Sequence, residues 1–320
     1  MKLFVTGAAG FIGSNFVRHL FGSSDDSVTV FDALTYAGNL DNLRGLDDDP
    51  RYAFVKGDIT DREAVLAAMD GHDAVVHFAA ESHVDRSIAS PDEFVHTNCD
   101  GTNVMCDVAR RVGVERFLHI STDEVYGSIE VGSFTEADQL RPRSPYSASK
   151  AGSDLIALSY FSTHDLPVIV TRSSNNFGPY QYPEKLIPLF VTNLLEGERV
   201  PLYGDGLNVR DWCYVKDNCS AIDLVLRAGV DGEIYNVGAG NEVPNRVITD
   251  LLLGLLGHDE SMVEYVEDRL GHDRRYSVTT DKVRALGWAP TQDFREALDA
   301  TVAWYRENRW WWEPLRQRRA

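Results

Sequence analysis

The feature that most constrains the chain is the run Gly7-Ala8-Ala9-Gly10-Phe11-Ile12-Gly13, set directly after the apolar Leu3–Val5 and before a helical segment beginning near Ser14. Glycines at such a bend allow a tight turn, close approach of a pyrophosphate and tight packing of helix on strand. The helix N-terminus adds amide donors and a positive dipole end. Gly-x-x-Gly-x-x-Gly has one residue more in its first gap than the commoner spacing, so its context matters. That context is Asp32, which ends the next apolar run, where a carboxylate can hold the adenosine ribose hydroxyls. No Arg follows closely to accept a 2′-phosphate. The residues favour NAD over NADP.

Short β-branched or aromatic runs alternate with helix-period segments: Leu3–Val5, Val28–Phe31, Tyr52–Val55, Ala74–Phe78, Phe117–Ile120 and Val168–Thr171. They are nearly continuous apolar runs, as strands covered by helices on both faces must be. The expected fold class is α/β, a doubly wound (Rossmann) parallel sheet. From about Asn175 the pattern breaks into Pro- and Gly-rich loops, so a Rossmann domain over 1–172 is followed over 173–320 by a smaller, loop-rich binding domain, with some segments returning to the first. Phe294, Leu298, Val302 and Tyr305 form an apolar stripe at helical spacing and read as core packing. The basic tail with Arg316, Arg318 and Arg319 is expected to fray.

Composition narrows the partners. Lys plus Arg number 31 against 49 Asp plus Glu, a formal net charge of −18 that repels nucleic-acid backbones and anionic membranes. The N-terminal apolar run is too short for an export signal, and no stretch has the length of a membrane helix. Cys99, Cys106, Cys213 and Cys219 show no metal-ligand spacing. A reduced cytoplasmic protein without metal, nucleic acid or membrane partner is expected.

A second motif, Tyr146-Ser-Ala-Ser-Lys150, puts a phenol and an ammonium on one helix face. An adjacent cation favours the phenolate, so Tyr146 can serve as a general base.

These two motifs resemble the extended short-chain dehydrogenase/reductase superfamily. Further strings narrow the resemblance: Ala79-Ala80-Glu81-Ser82-His83-Val84-Asp85-Arg86-Ser87, Ser121-Thr122-Asp123-Glu124-Val125-Tyr126-Gly127, Asn175-Asn176-Phe177-Gly178-Pro179-Tyr180-Gln181, Pro183-Glu184-Lys185-Leu186-Ile187-Pro188 and Gly271-His272-Asp273-Arg274-Arg275-Tyr276. From Lys2 to the Trp311-Trp312-Glu313-Pro314-Leu315 end the chain is similar to the dTDP-glucose 4,6-dehydratases. Ser173-Ser174 stand where that family usually has a Cys, which touches fine substrate fit and leaves the chemistry intact.

The resemblance implies dTDP-glucose as substrate, NAD as recycled cofactor and a homodimer paired through the segments around Val95–Val112 and Ser147–Ser162. Removing water across C5 and C6 of a hexose needs an acid for the C6 hydroxyl, a base for the C5 proton and a prior C4 ketone to acidify C5. By resemblance Asp123 is the acid, Glu124 the base and Tyr146, with Lys150, the group that takes the C4 hydroxyl proton; Thr122 bonds the C4 oxygen. Adjacent carboxylates can hold opposite protonation states where their environments differ. The implied cofactor site comprises Gly7, Gly10, Phe11, Ile12, Gly13, Asp32, Leu34, Thr35, Asp58, Ile59, Phe78, Ala79, Ala80, Ser82, Thr97, Tyr146, Lys150 and Asn176. The implied nucleotide-sugar site comprises Ser82, Thr122, Asn175, Lys185, Leu186, Pro201, Tyr203, Arg210, Asn245, His272, Asp273, Arg274, Arg275 and Tyr276, and its cations would neutralise the diphosphate. His83 and Asp85 read as loop-ordering residues, since no step is left for them. Two other readings stand beside this one. A nucleotide-sugar 4-epimerase needs the Tyr and Lys but no C5/C6 acid and base, and a catalytically silent dinucleotide sensor needs neither pair. The sequence leaves open thymidine against uridine.

Overall fold

Alternate side chains of each early apolar run have a hydrophobic core to enter on either face. Leu3 and Val5 enter one core and Phe4 the other, all fully buried, at about 1.5–3 kcal/mol for each large side chain. In the computed structural model, which describes residues 1–317, these runs become β1 (Lys2–Thr6), β2 (Ser27–Asp32), β3 (Tyr52–Lys56), β4 (Ala74–His77), β5 (Arg116–Thr122) and β6 (Val168–Ser173). The helices between them are α1 (Phe11–Ser23), α2 (Arg62–Met69), α3 (Val84–Ala89), α4 (Pro91–Val95), α5 (Thr102–Val112) and α6 (Pro145–His164).

The second half supplies β7 (Asn175–Phe177), α7 (Leu186–Leu195), β8 (Val200–Tyr203), β9 (Val209–Tyr214), α8 (Val215–Ala228) and β10 (Ile234–Val237). It ends with β11 (Glu242–Pro244), α9 (Asn245–Leu256), β12 (Val263–Val266), α10 (Asp281–Ala285), α11 (Phe294–Glu307) and α12 (Arg309–Gln317). The large sheet has 7 strands in the order β10-β6-β5-β4-β1-β2-β3, every pair parallel. The doubly wound α/β expectation holds. Helices α1 and α8 cover one face; α2, α5 and α6 cover the other. The chain order reverses between β1 and β4, so their carboxyl ends open the crevice where such sheets bind ligands.

A separate core joins α7, α9, α11 and α12, with Trp311 and Trp312 buried in it. Leu298, Val302 and Tyr305 are buried there as their spacing implied, and Phe294 packs edge-on against Phe177. Arg316 departs from the frayed-tail expectation: it pairs with Glu198 and donates to the Thr192 carbonyl at 2.9 Å. Arg318 and Arg319 lie outside the described residues. No helix among the described residues is long and apolar enough to cross a membrane.

Beneath α6 runs a buried polar chain. Asp154, fully buried, accepts from Arg172 Nε at 2.8 Å and faces His119 Nε2 at 3.3 Å. Arg172 also donates to the Tyr126 hydroxyl, which donates to Asn236, each at 2.8 Å. The chain ties α6 to the sheet. Arg172→Leu removes the ion-pair partner hydrogen-bonded to the buried Asp154 carboxylate and should cost about 3–5 kcal/mol of unfolding free energy in urea titrations. A loss below about 1 kcal/mol, the range of an exposed pair, would contradict this account.

Candidate active site

Two adjoining cavities open at the carboxyl ends of the sheet. They share Phe11, Ile12, Ser82, Ser121, Tyr146, Gln181, Glu184 and Lys185.

The first is built on the glycine turn. Gly7 has φ +68°, and a Cβ there would lie 2.5 Å from Ala79 N, so only glycine lets the turn after β1 lie against the turn after β4. No side chain caps α1 at Gly10, which leaves its first-turn amides and dipole end to an anion. Asp32 accepts from the N–H groups of Ala9 (2.9 Å) and Leu34 (2.8 Å) and keeps lone pairs for further donors. Burial raises its carboxyl above the usual range, against the pull of those amides. Gly7, Gly10, Phe11, Ile12, Gly13, Asp32, Thr35, Asp58, Ile59, Phe78, Ala79, Ala80, Ser82, Thr97, Tyr146 and Lys150 all line this cavity. Leu34 does not line it, though its amide fixes Asp32, and Asn176 lines the neighbouring cavity. An uncapped helix end, a carboxylate with lone pairs to spare and apolar lining from Phe78 and Ala79 fit NAD.

The catalytic candidates converge where the cavities meet. Helix α6 begins with a Ser144–Ser147 capping box and Pro145 in its first turn, which fixes Tyr146 one residue inside the helix. Lys150, a turn further on, donates to the Ile120 carbonyl at 2.7 Å. At the end of β5 the chain turns through Asp123–Tyr126, with the Thr122 hydroxyl accepting the Glu124 N–H at 3.2 Å. Gly127 completes the turn at φ +82°, where a Cβ would lie 2.4 Å from the Arg141 carbonyl oxygen.

Burial decides the protonation states here. It holds the Asp123 carboxyl well above the usual range, with Glu124 and Asp211 adding repulsion and Arg210 opposing. Burial thus favours the protonated form of Asp123. Its Oδ1 lies 3.4 Å from the Thr122 hydroxyl, and Oδ2 has no partner among the described residues. Burial lowers the Lys150 ammonium to about 8, with Asp154 opposing. Burial and Glu124 raise the Tyr146 phenol, against its bond to Thr122. This departs from the simple expectation of a lysine-lowered phenol, because desolvation acts in full on the buried hydroxyl and the neighbouring carboxylates add to it.

The second cavity is lined by Ser82, Thr122, Asp123, Glu124, Tyr146, Asn175, Lys185, Leu186, Pro201, Tyr203, Arg210, Asn245 and His272. Ser121 lines it too, and the buried Ser121 Oγ, Asn175 Oδ1 and Asn245 Oδ1 atoms have no hydrogen-bond partner among the described residues. Lys185 Nζ donates to the Ser82 carbonyl at 2.7 Å, and Arg210 Nη2 to the Asp273 carbonyl at 2.9 Å. Asp273 and Tyr276 stand behind the wall: Tyr276 donates to Asp273 at 2.8 Å, and its ring lies 4.2 Å from the Arg210 guanidinium. Arg274 and Arg275 are not brought to the cavity. They pair outside it with Asp205 at 2.8 Å and Glu242 at 2.7 Å.

His83 caps α3, accepting from the Arg86 N–H at 3.3 Å. Asp85 accepts from the Tyr203 hydroxyl at 3.2 Å. Both order the wall they line. Sequence reasoning missed Arg269, whose Nε is buried without a partner among the described residues; no spacing marks it, only its loop shared with His272. Gln181 and Glu184, inside the quoted strings, also line both cavities.

Comparison with known proteins agrees with this geometry. Residues 4–301 match the family described as GDP-mannose 4,6 dehydratase. The chain is 56% identical over 327 residues to a dTDP-glucose 4,6-dehydratase of Streptomyces antibioticus, covering 100% of this chain and 97% of that one. It is 55% identical over 305 residues to the low-salt glycan biosynthesis protein Agl12 of Haloferax volcanii, covering 95% and 98% of the two chains. The crystal structure of DesIV, a dTDP-glucose 4,6-dehydratase from Streptomyces venezuelae with NAD bound, matches with TM-score 0.97 and 56% identity, covering 98% of this chain and 100% of that one. The chain belongs to the GDP-mannose 4,6 dehydratase family and, within it, groups with the dTDP-glucose 4,6-dehydratases.

Proposed function

We propose that the chain converts dTDP-glucose to dTDP-4-keto-6-deoxyglucose by C4 oxidation, loss of water across C5 and C6, and reduction at C6. The observation that carries the reading is the Asp123–Glu124 pair at the end of β5, in the same cavity wall as Tyr146, with burial favouring the protonated form of Asp123. A 4-epimerase needs no such pair, and a silent sensor needs neither pair nor base.

The residues around Gly7–Gly13, Asp32, Asp58 and Lys150 would hold NAD. When bound, it supplies the hydride acceptor for C4, the hydride donor for C6 and a cationic ring that favours the Tyr146 phenolate. Tyr146 then takes the C4 hydroxyl proton, Lys150 steadies the phenolate, and Thr122 holds the C4 oxygen. With a ketone at C4, Glu124 removes the acidified C5 proton. Asp123 protonates the departing C6 hydroxyl, and a proton returned to C5 completes the reduction. Lys185, Arg210 and Arg269 face the substrate's diphosphate, with Asn175 and Asn245 offering polar contacts. We read Arg274 and Arg275 as supports of the outer wall. Four free thiols suit a reduced cytoplasm. Exposed Val95 and Leu155, on α4 and α6, suit a homodimer through those helices.

Incubation with dTDP-glucose and, separately, UDP-glucose tests the reading. The expected product lacks one water, forms without net reduced cofactor and arises faster from the thymidine substrate; a C4 epimer would contradict it. In single turnovers Glu124→Gln should still show the absorbance of reduced nicotinamide, whereas Tyr146→Phe should not. Asp123→Asn should lower kcat by roughly 10²- to 10⁴-fold. Equal loss of the absorbance signal in the Glu124 and Tyr146 variants would remove their separate roles.

The charge on Lys150 gives a pH dependence with a defined sign. The ammonium, lowered to about 8, is charged below that pH and neutral above it. A required cation therefore makes kcat/KM fall as pH rises through about 8 in free-enzyme profiles. Lys150→Arg, always charged, should lose that limb; an unchanged limb would assign it elsewhere.

A further inference from the structure

The last helix reaches back to the first turn. The indole N–H of Trp311 donates to Asn42 Oδ1 at 2.7 Å, and Asn42 Nδ2 donates to the Ala9 carbonyl at 2.8 Å. Ala9, between Gly7 and Gly10, sends its own N–H to Asp32 Oδ2 at 2.9 Å. Trp311 and Asn42 are only 2% and 1% exposed, so both bonds are shielded from bulk solvent. Three hydrogen bonds in series thus join α12 to the carboxylate that closes β2.

We propose that Trp311 and Asn42 are positioning residues for NAD. Together with the Asn39 N–H, which donates to the same Ala9 carbonyl at 3.0 Å, they pin the carbonyl side of the glycine turn, so that its amide side and Asp32 stay set for pyrophosphate and ribose. Without the Trp311 N–H, the Asn42 amide has a buried acceptor unmet and is free to rotate off Ala9. The neighbouring indole separates this role from simple packing. Trp312, on the same helix and equally buried, donates to the Tyr305 carbonyl at 2.7 Å. That bond begins and ends in the C-terminal helices and never reaches the glycine turn.

The test compares full-length protein carrying Trp311→Phe, Asn42→Ala, both together, or Trp312→Phe, with the NAD dissociation constant read by titration of nucleotide-stripped protein well below each variant's Tm. Phe keeps the ring contacts of Trp311 with Tyr180 and Trp304. Trp311→Phe and Asn42→Ala should each weaken NAD binding by roughly two- to tenfold, the worth of one net hydrogen bond. The double variant should be no weaker than the weaker single one, since both cut one chain. Trp312→Phe should lower Tm and bind NAD like the parent. Parent-like binding by Trp311→Phe, equal weakening by Trp312→Phe, or additive losses would overturn the proposal. Should Trp311→Phe fail to fold, Asn42→Ala decides by the same comparison with the parent. The inference rests on the NAD reading: a parent that does not bind NAD sinks that reading, whereas a parent and Asn42→Ala that bind alike sink only the relay.

Discussion

The close crossing of two backbone turns, where β1 leaves the sheet at Gly7 and β4 leaves it at Ala79, is the constraint on which the site depends. A methyl group at Gly7 would overlap the Ala79 backbone. Because the turns touch, α1 starts directly over the sheet edge, its uncapped amides face the crevice, and the Ala79–Ser82 segment forms the crevice wall. Asn98 then holds that segment, accepting from the Glu81 N–H at 2.8 Å and donating to the Glu81 carbonyl at 3.0 Å. It also donates to Ser149 on α6 at 2.8 Å. One crossing therefore fixes the cofactor groove and, through a single amide side chain, the helix bearing Tyr146 and Lys150.

Desolvation does the rest. Asp123, Tyr146 and Lys150 are all removed from water, and in each the buried environment favours the uncharged form. For Asp123 that is the form an acid catalyst needs. For Lys150 it brings the ammonium close to losing its proton, with Asp154 one turn along the helix opposing. The same burial leaves the Lys150 ammonium dependent on the Asp154 carboxylate, which opposes its desolvation.

Much of this was legible in the sequence because it is local. The six early strands announce themselves as apolar runs, and the glycine turn, Asp32 and the Tyr146–Lys150 spacing each carry their chemistry within a few residues. What sequence reasoning lost is relational. Arg274 and Arg275 look like phosphate ligands beside His272, yet Asp205 and Glu242, distant in the chain, draw them outward. Arg269, with no motif around it, turns inward. Trp311 is buried in the C-terminal core, and its N–H meets an acceptor 269 positions away that no local pattern announces. The phenol's raised state also escaped local reading, because desolvation depends on everything packed around Tyr146.

The central claim is that one bound cofactor takes hydride from C4 and returns it to C6 around an acid–base elimination. Substrate carrying deuterium at C4, turned over in ordinary water and analysed by NMR and mass, tests it most directly. The account predicts deuterium on C6 of the product, and in the converse experiment, unlabelled substrate in heavy water, solvent deuterium at C5. Label retained at C4, or lost to free reduced cofactor, would contradict it.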